Sequence, residues 1–124
     1  MATYTDLEVY KACRKLRMDI SKLVEKEFPK DEKYRLSDQV IRSSRSVTAC
    51  IAEGYGRFNY KDDMRFLKMA KGSLFETLEH LITAYDEKII SEEILKNYKT
   101  DIDTCGRLLS GYIKYLKNKD ATSL

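Results

Sequence analysis

The sequence predicts an all-α protein: a single domain over residues 1–124, folded as an antiparallel up-down-up-down four-helix bundle. Three observations predict it. Apolar side chains recur at alternating spacings of three and four in several long stretches, the period of helices packed nearly parallel. The chain has one proline, Pro29, and five glycines, so few positions can end a helix. The segments between the periodic stretches are short, which makes sequence neighbours antiparallel. No strand-type alternation runs beyond a few residues.

The first helix carries Val9, Cys13, Leu16, Ile20 and Leu23 on one stripe. Thr5 and Glu8 have capping-box spacing, which places its start at Asp6. It ends near Phe28–Pro29, because the residue before a proline disfavours helix. The second helix aligns Leu36, Val40, Ser43, Val47, Cys50 and Gly54, and ends around Gly54–Gly56. Ser43 and Gly54 are small, so another backbone can approach closely there. The third helix runs from about Tyr60 to Glu87, with Leu67, Leu74, Leu78, Leu81 and Tyr85 on its seam. Lys71 interrupts that seam; its stem can lie along the core while its amine reaches water. The fourth helix has the strongest pattern: Leu95, Tyr98, Ile102, Cys105, Leu109, Tyr112 and Leu116. Ser91 caps its start, and Glu92 and Glu93 suit the positive end of the helix dipole.

Composition narrows the class. A chain of 124 residues buries a core without staples. With 43% hydrophobic and 35% charged residues it fits a soluble helical protein and not a disordered one. No stretch approaches the roughly 20 apolar residues of a membrane span. The opening MATYTDLEVYKACRKL lacks the basic-then-apolar order of a signal peptide. Cys13, Cys50 and Cys105 form no CxxC pair, so reduced thiols and a cytoplasmic location are expected. All three fall on seams and read as core, with a reactive thiol as the alternative.

No constellation for chemistry emerges. His80 is the only histidine, and metal sites want clusters of Cys and His. No HExxH, GxSxG or phosphate loop occurs. The carboxylate pairs Asp31-Glu32, Asp62-Asp63, Asp86-Glu87 and Glu92-Glu93 mostly fall near helix starts, where they complement the dipole. The expectation is a protein that is not an enzyme, with no catalytic residues, no metal and no cofactor.

The basic residues carry the functional reading. Net charge is +3, but residues 1–75 hold 16 Lys and Arg against 11 Asp and Glu, while residues 76–124 hold 7 against 9. On the first helix Lys11, Arg14, Lys15 and Lys22 point away from the seam. On the second, Arg35, Arg42 and Arg45 face outward, with Asp38 among them. On the third, Lys61, Arg65 and Lys68 share a face, and Arg57 stands at the turn before it. Arginine forks match phosphate oxygens, and such contacts give sequence-independent, salt-dependent binding of nucleic acid. The plain alternative is a solvated surface. Tyr55, Phe58, Tyr60 and Phe66 interleave with these charges. They either stack unpaired bases or pack the turn between helices. A band of Phe66, Met69, Phe75, Ile82, Leu108, Ile113 and Tyr115 is wider than one bundle interior requires and predicts a homo-oligomer interface.

Several phrases occur together: Tyr4-Thr5-Asp6-Leu7-Glu8-Val9-Tyr10, then Phe28-Pro29-Lys30-Asp31-Glu32-Lys33-Tyr34-Arg35-Leu36-Ser37-Asp38-Gln39. Ile51-Ala52-Glu53-Gly54-Tyr55-Gly56-Arg57 follows, then Phe66-Leu67 and Lys71-Gly72-Ser73-Leu74-Phe75-Glu76. As a set they resemble the four-helix-bundle proteins encoded in intervening sequences of bacterial large-subunit ribosomal RNA genes. The accessory variability proteins of diversity-generating retroelements are similar to these. The resemblance implies a basic homopentamer without catalytic residues. From the retroelement branch it implies nucleic acid and a reverse transcriptase as partners. A proline common in that family before Ile-Ala-Glu-Gly is absent from Ser46-Val47-Thr48-Ala49-Cys50, which implies a straighter second helix. The expected function is a non-catalytic nucleic-acid-binding accessory protein acting on RNA or DNA backbone. The alternative is a protein-interaction scaffold, with no membrane partner in either case.

Overall fold

The computed structural model describes residues 2–122. It contains α1 (Glu8–Glu27), α2 (Leu36–Gly56), α3 (Tyr60–Asp86) and α4 (Glu92–Thr122), with short 3-10 turns at Tyr4–Asp6 and Lys30–Glu32. Each helix packs on two neighbours: α2 on α1 and α3, α4 on α3 and α1. Facing residues run in opposite directions along α2–α3, where Ser43, Ser46 and Gly54 meet Thr77, Ser73 and Asp63 in turn, and the short connections make the other neighbours antiparallel as well. Arg17 meets Thr48 across α1–α2, Ser43 meets Thr77 across α2–α3, and Lys71 meets Ser110 across α3–α4. The result is the expected up-down-up-down bundle. Among the described residues no helix is long and apolar enough to cross a membrane.

The core follows the heptads. Ile20, Ile51, Leu67, Leu74, Leu81, Ile102 and Leu109 are fully buried at its centre. Each contributes about 1.5–3 kcal/mol by leaving water. The α2–α3 contact is closest where α2 presents small side chains. The Thr77 hydroxyl lies 2.8 Å from the Ser43 hydroxyl, and Ser46 and Ser73 hydroxyls are 2.9 Å apart. At the far end of this contact, a side chain on Gly54 would collide with Asp63 and Phe66. α2 runs unbroken to Gly56.

The structure corrects several expectations. α1 begins at Glu8, not Asp6, because Asp6 is used earlier. Its carboxylate accepts the Thr3 N–H at 2.9 Å and its own N–H donates to the Thr3 carbonyl, closing the short turn. Leu7 is then extended and ends that turn. Phe66, expected at an oligomer interface, is 5% exposed, because the missing side chain at Gly54 lets α3 approach α2 closely at the Phe66 Cβ. Tyr85, expected on the seam, is exposed. Its place is taken by Ile90, which the chain brings back through a Schellman turn. There Lys88 has φ 63°, and the Ile89 N–H reaches the Ala84 carbonyl at 2.8 Å. Lys71 is half-buried as its stem requires, and its amine donates to the Ser110 hydroxyl at 2.9 Å.

Two helix starts use caps of different kinds. Asn59 accepts the Asp62 N–H at 2.8 Å ahead of α3, and Ser91 accepts the Ile94 N–H at 3.2 Å ahead of α4.

Candidate nucleic-acid interface

The eleven predicted basic residues do not form one surface. α1 and α3 do not touch, so they lie diagonally across the bundle and their outward faces look in opposite directions. Lys61, Arg65 and Lys68 on α3 are therefore remote from Lys11, Lys15 and Lys22 on α1. Several are also matched by acids. Lys11 lies 3.7 Å from Glu8, Lys15 2.8 Å from Asp19 and Arg42 3.8 Å from Asp38. Arg57 lies 3.3 Å from Glu53, and Arg65 3.7 Å from Asp62. These exposed pairs add little stability each, but each sets a negative charge beside a positive one.

Arg57 and Arg65 have a structural occupation. Their guanidinium groups lie 5.0 Å and 4.6 Å from the centroid of the Phe66 ring, clamping it at the α2–α3 turn. For Phe66 the packing reading of the turn aromatics holds, while Tyr55, Phe58 and Tyr60 remain exposed.

One part of the basic set does converge. On α1, Tyr10, Arg14 and Arg17 follow one another at spacings of four and three, so they share the flank nearest α2. Arg17 meets Arg45 of α2 along the α1–α2 junction. The two line both of a pair of adjoining clefts, ≈ 280 Å³ beside Met18, Ser21, Ile41 and Ser44, and ≈ 370 Å³ beside Tyr4, Tyr10, Thr48 and Ala52. Arg17 is held in place: its Nη1 donates to the Thr48 hydroxyl at 3.0 Å, and that hydroxyl sits 3.2 Å from the Arg45 carbonyl. Tyr4 and Tyr10 meet edge to face, with centroids 5.0 Å apart, closing the upper end of the groove. Among the described residues, Arg14, Arg17 and Arg45 have no carboxylate within ion-pair distance. Lys22, Arg35, Lys61 and Lys68 share that freedom but face open solvent.

Sequence reasoning missed Arg17, Tyr4 and Tyr10. Arg17 directly follows seam residue Leu16, and only the pairing of α1 with α2 shows that it faces Arg45.

The expected interface residues are also dispersed. Met69, Phe75 and Tyr115 are exposed, whereas Ile82, Leu108 and Ile113 are half-buried against the core. Phe75 lines an apolar α3–α4 cleft of ≈ 550 Å³ with Leu78 and Ile102, while Tyr115 lines a separate cleft at the end of the bundle.

The thiols are packed away. Cys13 and Cys105 are buried between α1 and α4; a hydrogen bond between their thiols, together with burial, pushes Cys13 far above the ordinary thiol range. His80 Nε2 lies 3.1 Å from Glu76 Oε2 on the α3 surface.

These features define a small four-helix-bundle protein whose α1–α2 junction is an arginine-lined groove with tyrosines at one end. The family model described as 23S rRNA-intervening sequence protein matches residues 5–111, and the chain belongs to that family. Among solved structures, it is similar to a protein with unknown function from the S23 ribosomal protein family from Bacteroides thetaiotaomicron VPI-5482. The two share 23% identity over 86% of this chain and 95% of that one, with a TM-score of 0.78, a likeness of fold. No curated protein matches the chain.

Proposed function

We propose that this chain is a non-catalytic nucleic-acid-binding protein that works in the cytoplasm as a homo-oligomer and contacts RNA or DNA phosphates through the α1–α2 groove. The observation that carries the reading is the meeting of Arg17 and Arg45 in both clefts, with Arg14 one turn along α1 from Tyr10 and Arg17, and no carboxylate within ion-pair distance of the three among the described residues. Guanidinium groups fixed beside open clefts suit phosphate oxygens. Tyr4 and Tyr10 at the end of the groove offer ring faces to an unpaired base. In a ring of identical subunits, five favoured by the family resemblance, each groove is repeated and the field on a polyanion grows with it. The same resemblance supplies a reverse transcriptase as the protein partner we propose.

Fluorescence anisotropy with single-stranded RNA and DNA at low salt tests this. Replacing Arg14, Arg17 and Arg45 by Gln weakens binding strongly, while Lys61→Gln with Lys68→Gln changes it little. Absence of binding by the unaltered protein contradicts the proposal.

The apolar α3–α4 cleft, floored by Phe75, Leu78 and Ile102, favours a second reading, a protein-interaction scaffold without nucleic-acid binding. Partner capture that is insensitive to nuclease, together with no binding in the titration, selects it.

A further inference from the structure

At the end of the bundle where α2 meets α3, the chain builds an aromatic cup that the nucleic-acid reading does not use. Tyr55 closes α2, Tyr60 opens α3, and Tyr112 and Tyr115 reach across from α4; together they bound a cleft of ≈ 610 Å³. Tyr112 and Tyr115 rings lie nearly parallel, with centroids 5.9 Å apart. Asp63 lines the same cleft, as does Asp120. Asp63 is 8% exposed, and its carboxylate oxygens, which make no hydrogen bond or ion pair among the described residues, keep access to solvent through the cleft. A carboxylate withdrawn from most of its water but open to the cleft is an acceptor placed for a charged donor.

Phe58 stands at the rim. Its ring is 94% exposed and its backbone holds φ 62°, a left-handed conformation that a bulky residue adopts at a cost. Glycine would serve that helix end better, so neither packing nor turn geometry explains a phenylalanine there. As a flap over the cup it has a use.

We propose that this cup binds a small primary alkylammonium ion, with Asp63 as the counter-charge and the tyrosine ring faces around the cation. The chemistry fits on both counts. Aromatic faces attract cations through their quadrupole, and a partly desolvated site strengthens that attraction. The carboxylate and the tyrosine hydroxyls are acceptors that an ammonium N–H can reach. Burial pushes the Asp63 carboxyl above its ordinary value, and an ammonium ion beside it would favour the ionised form. Lys119 is the local competitor: its amine lies 5.6 Å from the Tyr115 ring centroid, on the outer wall. The cup adjoins the α1–α2 groove where the Tyr55 ring meets Tyr4, centroids 5.9 Å apart, but none of the groove's arginines lines it.

The probe is 1,4-diaminobutane, titrated into the full-length, nucleic-acid-free protein by ligand-observed NMR, with the neutral 1,4-butanediol beside it. The diamine binds and the diol does not. Asp63→Asn, checked by circular dichroism for retained helix, weakens diamine binding by about tenfold or more, the worth of a charged hydrogen bond. Lys119→Gln tightens it by removing the competing cation. Asp31→Asn, an exposed carboxylate elsewhere, leaves it unchanged. The proposal is overturned if the diamine does not bind, if the diol binds equally, or if Asp63→Asn and Asp31→Asn behave alike.

Discussion

Replacing Gly54 by alanine probes the closest helix contact in the fold. A methyl group there would lie 2.7 Å from Asp63 Oδ1, 2.9 Å from Phe66 Cβ and 3.1 Å from the Asp63 carbonyl oxygen. The carboxylate can rotate aside. The other two atoms belong to the α3 backbone or are bonded directly to it, so α2 and α3 must separate. Overpacking of this kind costs about 1–3 kcal/mol. Alanine returns about 1 kcal/mol through its better helix propensity. The net expectation is a loss of up to about 2 kcal/mol. Gly72 is the control, because it lies within α3 with nothing inside 4 Å of an added methyl group. There only the propensity term acts, and alanine stabilises by about 1 kcal/mol. Urea unfolding followed by helical circular dichroism measures both, at one protomer concentration because self-association raises apparent stability. The reasoning fails if Gly54→Ala gains stability as Gly72→Ala does.

Other expectations follow from local features. Lys88 has φ 63° in the turn after α3, so Lys88→Gly relieves that conformation and raises stability by about 1 kcal/mol in the same assay. Asp63 is raised by burial, which means its ionised form is penalised in the folded state. The folded chain therefore holds that proton more tightly than the unfolded one, and stability is lost as pH rises through the folded value. Asp63→Asn is accordingly more stable than the parent near neutral pH. The advantage fades as pH falls below about 4; an advantage constant with pH refutes the assignment. Cys13 and Cys105 are buried with Cys13 held protonated, so Ellman's reagent labels them only at the rate of unfolding. Rapid labelling of either in the native state contradicts their placement.

Much of the fold can be read from the residues. The stripe Val9–Cys13–Leu16–Ile20–Leu23 is buried throughout, and of the fourth-helix stripe Leu95, Ile102, Cys105, Leu109 and Leu116 are buried while Tyr98 and Tyr112 are partly buried against the core, because a strict heptad leaves a helix one face to bury. Ser43 and Gly54 foretold a close approach, and α3 is the helix that makes it. Positions beside a seam are less legible. Phe66 and Arg17 each adjoin a seam leucine, and their fates depend on the facing helix: Gly54 lets α3 approach closely at the Phe66 Cβ, while Thr48 receives the guanidinium. Charge patterning read helix by helix also mistakes outward for shared. Lys11 and Lys68 both point outward, yet from opposite corners of the bundle. The aromatic cup was beyond reach for a similar reason, since Tyr112 and Tyr115 are far in sequence from Tyr55, Tyr60 and Asp63.

The proposal that phosphates dock on the α1–α2 groove is tested most directly by the salt dependence of single-stranded RNA binding. The unaltered protein is compared with the Arg14→Gln, Arg17→Gln, Arg45→Gln variant. Three lost phosphate contacts flatten the slope of log affinity against log salt by about 2. A slope the variant shares with the parent shows that other residues hold the backbone.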